Sequence, residues 1–267
     1  MKRSQPRSRS AVFFDLDKTI LATSTSVALR TPLREAGLLT RRGALLGLLI
    51  QLPYLIKGAD EQATEKMRES LGEIAAGWDG VYLESTVKDA LSRSIDPVCF
   101  VEALEEIAIH RAAGRRIVIA SASIEEMVRP VAHMLGADAS IGSYAQRNED
   151  GTFTGVISRF NYADEKARAC IDMAQCNGWD LRECFAYSDS ITDVPLLEAV
   201  GHPVVINPDR QLREIAQERD WPIRSFTHTV QVRTSPARLI VPGLIAACSA
   251  AGAAWSFYRA YTSLRGK

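Results

Sequence analysis

Three short apolar runs, each stopping at polar residues, constrain this chain more than any other feature. Ala11-Val12-Phe13-Phe14 runs into Asp15-Leu16-Asp17-Lys18-Thr19. Ile117-Val118-Ile119-Ala120 runs into Ser121-Ala122-Ser123, and Cys184-Phe185-Ala186-Tyr187 into Ser188-Asp189-Ser190. Short apolar runs without polar alternation suit strands buried on both faces of a parallel sheet. The stretches among them read as helices over 97–113, with Gly114 as C-cap, and over 124–135, 165–177, 194–200 and 211–218. A further strand is expected over 203–206, and a hairpin over 142–157 turning at Asp150-Gly151. This alternation predicts an α/β fold, a Rossmann-like parallel sheet with helices on both faces. Ligands of such sheets bind at the C-terminal strand ends, and Asp15, Asp17, Ser121, Ser123 and Asp189 all fall there.

The first run makes a chemical demand. Side chains at i and i+2 of a strand share a face, so Asp15 and Asp17 would stand side by side where the strand ends. Two carboxylates that close repel, and the pair needs a cation, a shared proton, or both. The plain alternative is a buried strand ending in a solvated turn, and the downstream residues must decide. Each of those has a plain alternative too. Ser121 could cap a strand end, Lys166 could be an exposed lysine at a helix start, and Asp193 could be a helix N-cap.

From residue 22 to 94 there is no strand signal, and the pattern is helical. An apolar stretch over 44–56 is broken only by Gln51 and Pro53; it is too short to span a bilayer and reads as a buried helix. The expected organisation is a basic disordered tail (1–10, with Lys2, Arg3, Arg7 and Arg9), a core from 11–21 and 95–228, and an all-helical cap over 22–94. Residues 239–258 carry no charge, with Arg233 and Arg238 before them and Arg259, Arg265 and Lys267 after. A helix of that length, at about 1.5 Å per residue, matches a hydrocarbon core of about 30 Å. A transmembrane helix over 237–260 is therefore expected, against a packed terminal helix or an unordered tail.

Acidic and basic residues balance at 32 each, which gives no argument for nucleic acid. The five cysteines show no C-x-x-C spacing, so neither a disulfide framework nor a zinc site is expected. A reducing, cytoplasmic setting fits them, with the C-terminal helix as a tether to the membrane. The N-terminal segment has no apolar stretch of the secretory kind.

In order along the chain, Asp15-Leu16-Asp17-Lys18-Thr19, Ser121, Lys166 and Ser188-Asp189-Ser190-Ile191-Thr192-Asp193 resemble the four motifs of the haloacid dehalogenase-like (HAD) hydrolases. The helical insertion is similar to the cap of the subfamily IB proteins that include phosphoserine phosphatase. Glu198-Ala199-Val200-Gly201-His202-Pro203 and Asn207-Pro208-Asp209 resemble that group as well. The resemblance implies a Mg²⁺-dependent phosphatase acting on a phosphomonoester through an aspartyl phosphate. It assigns Asp15 as nucleophile and Asp17 as proton donor and acceptor. Mg²⁺ would be held by the Asp15 carboxylate, the Asp17 carbonyl, Asp189 and waters. Ser121 and Lys166 would bind the phosphate, with Thr19, Ser123 and Asp193 in support.

Two departures concern the substrate. Phosphoserine phosphatases carry a glutamate soon after the first motif to read the substrate ammonium, whereas 21–26 here is Leu-Ala-Thr-Ser-Thr-Ser. Their second motif is Ser-Gly-Gly, whereas this chain has Ser121-Ala122-Ser123. The expected partner is thus a phosphorylated small molecule or amphiphile rather than phosphoserine in particular. Phosphoryl transfer to another acceptor, hydrolysis of a lipid phosphate, and a membrane-tethered binding module without catalysis are the alternatives.

Overall fold

The computed structural model describes residues 9–39 and 61–230. The apolar stretch over 44–56, residues 1–8 of the basic tail and the expected membrane span over 237–260 lie outside the described residues. Among the described residues no helix is long and apolar enough to cross a membrane.

Seven strands form one sheet in the order β4-β3-β2-β1-β5-β6-β7. They are β1 (Ala11–Asp15), β2 (Arg116–Ile124), β3 (Ala139–Arg147), β4 (Phe153–Arg159), β5 (Phe185–Ser188), β6 (His202–Ile206) and β7 (Ile223–Arg224). Every neighbouring pair is parallel except β3 and β4. β1 is central because Ala11, Val12, Phe13 and Phe14 have no exposed surface and no polar side chain to satisfy. Their alternation feeds two cores. Val12 and Phe14 join Leu83, Val87, Ile107 and Val128 on one face; Ala11 and Phe13 join Cys170, Leu197 and Leu212 on the other. Each buried phenylalanine contributes about 1.5–3 kcal/mol.

From β1 the chain builds outward through β2 to β4, then returns to build β5 to β7 on the other side. The strand order therefore reverses at β1, which makes its C-terminal end the crevice where a ligand fits.

Four described α-helices lie between β1 and residue 91: α1 (Thr25–Ala28), α2 (Arg30–Glu35), α3 (Glu61–Ala75) and α4 (Gly80–Ala90). The later helices are α5 (Val101–Ala112), α6 (Glu125–Met134), α7 (Ala163–Asn177), α8 (Val194–Ala199) and α9 (Arg210–Glu218). The hairpin β3–β4 supports the inserted helices. Gly77 N–H donates to the Phe153 carbonyl at 2.9 Å, and Phe153 N–H to the Trp78 carbonyl at 2.8 Å. Gly72 must be glycine for this approach, since a Cβ there would lie 2.0 Å from the Gly155 carbonyl oxygen.

Several sequence boundaries shift for definable reasons. The helix expected from 97 begins at Val101, because Pro97 opens a 3₁₀ turn and the chain then runs extended to cross the segment leaving β1. There Ala22 N–H bonds the Val98 carbonyl at 2.7 Å and Phe100 N–H the Ile20 carbonyl at 2.8 Å. β2 does not stop at Ala120 but continues to Ile124 through a bulge. β3 is an inner strand of the main sheet, not merely a hairpin arm, and β7 is too short at two residues to carry a periodic signal.

Candidate active site

The end of β1 gathers charge where the sheet can least dissolve it. Asp15 is 8% exposed and Lys166, on the first turn of α7, only 3%. Lys166 Nζ donates to Asp15 Oδ1 at 2.6 Å and to Asp193 Oδ2 at 2.7 Å. Asp193 Oδ2 also accepts from Ser188 Oγ at 2.6 Å. The lysine is thus no exposed helix-start residue. Asp193, although it precedes α8, makes no capping bond with its side chain and is committed to Lys166 instead.

After Asp15 the chain turns sharply. Lys18 takes a left-handed φ of 61°, and the Leu16 carbonyl accepts from Ile20 and Leu21 N–H at 3.1 and 3.0 Å. This turn buries Leu16, Ile20 and Leu21 and leaves Asp17 half-buried beside the site. Asp17 Oδ1 accepts from Thr25 N–H at 2.8 Å and from the Thr25 hydroxyl. Thr19 Oγ1 donates to Asp189 Oδ1 at 3.2 Å, tying the first motif to the loop after β5. Ser121 follows Ala120, the register partner of Asp15 on β2, and is buried. Its Oγ accepts from Ser123 N–H at 3.1 Å.

Asp15, Asp17, Asp189 and Asp193 share this crevice with one buried ammonium. Burial pulls the Lys166 ammonium down, but Asp15 and Asp193 outweigh it and keep it charged. Burial pushes Asp15 up; Lys166 pulls against this, and Asp193, Asp189 and Asp17 push it up again. Burial also raises Asp17, opposed by its bonds from Thr25. Burial and Asp193 push Asp189 up to about 7. Such an excess of hard, poorly solvated oxygen suits a small divalent cation, which would favour the ionised forms. Among the described residues no three His, Cys, Asp or Glu side chains converge as metal ligands. A set of two carboxylates and a backbone carbonyl, completed by waters, is the kind Mg²⁺ accepts.

Sequence reasoning missed Thr25 and Asn161, and it placed Ser188 in the fourth motif without a role. Thr25 lies in a Ser/Thr-rich stretch without periodicity, and its link to Asp17 is visible only in three dimensions. Asn161 is fully buried behind Ser121, donating from Nδ2 to the Ser121 carbonyl at 2.8 Å.

Comparison with known proteins places the chain in a family. The haloacid dehalogenase-like hydrolase family matches residues 12–198. A probable phosphatase of Mycobacterium tuberculosis is 44% identical over 228 residues, covering 85% of this chain and 79% of its own. A phosphoserine phosphatase of the same organism is 31% identical over 247 residues, covering 91% and 78%. The solved structure of a phospho-aspartyl intermediate analogue of phosphoserine phosphatase superposes with a TM-score of 0.56 at 15% identity, over 84% of this chain and 95% of that one. At that identity the likeness concerns the fold. With the family match spanning all four motifs, the chain belongs to the haloacid dehalogenase-like hydrolases.

Proposed function

We propose that the protein is a Mg²⁺-dependent phosphomonoesterase that works through an aspartyl phosphate on Asp15. The observation that carries this reading is the buried Lys166 ammonium bonded at once to Asp15 and Asp193 at the strand-reversal crevice. The named activity of the 44%-identical relative supports it.

Asp15 Oδ attacks phosphorus as the bond to the leaving oxygen breaks. Asp17, its pKa raised by burial, gives its proton to that oxygen. Water then attacks phosphorus, Asp17 takes the water's proton, and the phosphorus–Asp15 bond breaks to release phosphate. Lys166 and the Ser121 hydroxyl offset the charge on the transferring group. Thr25 holds the Asp17 carboxylate in one orientation, and Thr19 does the same for Asp189. The Asp15 carboxylate, the Asp17 carbonyl and Asp189 would hold Mg²⁺, which when bound screens the anionic substrate from the anionic nucleophile. The inserted helices α1 to α4 act as a cap that limits water and selects the substrate.

Residues 21–26 hold no acid to read an ammonium, and Thr25 there is already committed to Asp17. The substrate is accordingly a phosphorylated small molecule or amphiphile with no required amino group. The test is phosphate release from p-nitrophenyl phosphate with and without Mg²⁺, by wild type and Asp15→Asn. A screen of phosphoserine, sugar phosphates and lipid phosphates, with added alcohols as acceptors, then separates hydrolysis from phosphoryl transfer. Turnover that survives Asp15→Asn would sink the mechanism.

A further inference from the structure

The β2–β3 ladder breaks where the phosphate-binding serine sits. Between Ala120 and Ile124, β2 advances four residues while β3 advances two, from Ile141 to Ser143. A bulge of this kind leaves main-chain groups without ladder partners, and buried carbonyls must find donors elsewhere. Here those donors come from two side chains. Asn161 Nδ2 donates to the Ser121 carbonyl at 2.8 Å and to the Ile141 carbonyl at 3.0 Å. Ser143 Oγ donates to the Ala122 carbonyl at 2.7 Å and accepts from Asn161 N–H at 3.0 Å. Asn161 and Ser143 are both fully buried, so no solvent can substitute for them. Two carbonyls facing one amide fix its orientation: the NH₂ end must point at them. Asn161 Oδ1 has no hydrogen-bond partner among the described residues, so the side chain's hydrogen bonding goes entirely to the bulge.

Asn161 also stands just before α7 (Ala163–Asn177), whose first turn carries Lys166. Between them Ala163 takes a left-handed φ of 48°, making a tight corner. One residue therefore joins the bulge that presents Ser121 to the segment that presents Lys166. We propose that Asn161 is a positioning residue that fixes Ser121 relative to Lys166 and so sets the dimensions of the phosphate pocket. This rests on the phosphomonoesterase reading and adds to it a residue that touches no reacting atom.

The prediction is a coupling. If Asn161 acts through Ser121, its loss should matter only while the Ser121 hydroxyl is present. The experiment measures kcat/KM for Mg²⁺-dependent p-nitrophenyl phosphate hydrolysis in wild type, Asn161→Ala, Ser121→Ala and the double variant. Asn161→Ala should lower kcat/KM at least about tenfold, since displacing a catalytic group by about 1 Å can cost about 100-fold. In the Ser121→Ala background the further loss should be under about threefold, the non-additivity expected of sites acting as one unit. Ser143→Ala, which removes the other stitch, should repeat the pattern and serves if Asn161→Ala does not fold. Equal losses in both backgrounds, or an unchanged kcat/KM in both Asn161→Ala and Ser143→Ala, overturn the positioning role while the phosphatase reading stands. A folded wild type that releases no phosphate overturns the reading and the inference together.

Discussion

Replacing Lys166 by methionine keeps the length of the side chain and removes its charge. The structure gives this substitution two separable consequences. The first is on stability. Lys166 Nζ is the donor to two buried carboxylates, Asp15 and Asp193, at 2.6 and 2.7 Å. Removing one partner of a buried ion pair costs about 3–5 kcal/mol, because an unpaired charge is left behind. Asp15, already pushed up by burial and then without the Lys166 charge that pulls it down, can escape part of that cost by taking up a proton. Its folded pKa would then lie further above the unfolded one, so the folded state holds a proton that the unfolded state releases. Stability of Lys166→Met, relative to wild type, should therefore recover as pH falls and be lost as pH rises through the folded value.

The second consequence is on catalysis. A donor to the transferring group is typically worth about 100- to 1000-fold in rate, so kcat/KM should fall at least about 100-fold at every pH. The double variant Lys166→Met/Asp193→Asn removes one stranded charge and keeps the Ser188 bond. It should regain stability and none of the activity. Urea denaturation in the absence of Mg²⁺ at two pH values reads the first effect, and p-nitrophenyl phosphate turnover the second. Lys166→Met with wild-type stability at neutral pH and wild-type turnover would refute the reasoning at both steps.

Thr25→Val removes one of two donors to Asp17 at constant volume; a hydrogen bond to a charged group is worth about 1.5–3 kcal/mol, so turnover of alkyl phosphates should drop about tenfold or more. Steady-state rates for an alkyl and an aryl phosphate check this, and unchanged rates on both would contradict it. His110 accepts from Arg115 at Nδ1 (3.3 Å), which leaves Nε2–H to donate to Tyr187 OH at 2.8 Å. Burial, reinforced by Arg115, pulls its pKa down to about 4. The unfolded chain thus binds a proton near pH 6.5 that the folded chain refuses. Stability should fall as pH drops from about 6.5 toward 4, by up to about 1.4 kcal/mol per unit. Comparing denaturation of His110→Gln with wild type across that window isolates the slope, which should be shallower in the variant. Gly201→Ala would set a Cβ 1.9 Å from the Arg182 carbonyl oxygen, just before β6 and at the opposite end of the parallel strands from Asp15. It should lose about 1–3 kcal/mol in denaturation with kcat/KM unchanged.

The sheet was legible where its inner strands, β3 apart, are apolar runs that no helix pattern explains. β1, the Ile117–Ala120 part of β2, β5 and β6 all announce themselves that way, and the helices between them follow from periodicity and from caps such as Gly114. The bulge in β2 was not legible, since nothing in Ser121-Ala122-Ser123 distinguishes a strand that kinks from one that ends. The entry to α5 was misread because Pro97 suits a helix start and a 3₁₀ turn equally well. Among site residues, the motif order pointed to Asp15, Lys166 and Asp193, but only the fold turns Lys166 inward. Thr25 and Asn161 left no trace in the sequence. Their bonds depend on where the segment after β1 and the corner before α7 come to rest, and the partners of Asn161 lie 18, 20 and 40 residues away.

The central claim is that Asp15 carries the phosphoryl group. The most direct measurement is rapid acid quench of enzyme turning over ³²P-labelled phosphomonoester with Mg²⁺, followed by peptide mapping. The account predicts a labelled acyl phosphate on the peptide containing Asp15, labile to hydroxylamine and absent from Asp15→Asn. Label on another residue, or phosphate release that persists in Asp15→Asn, would contradict it.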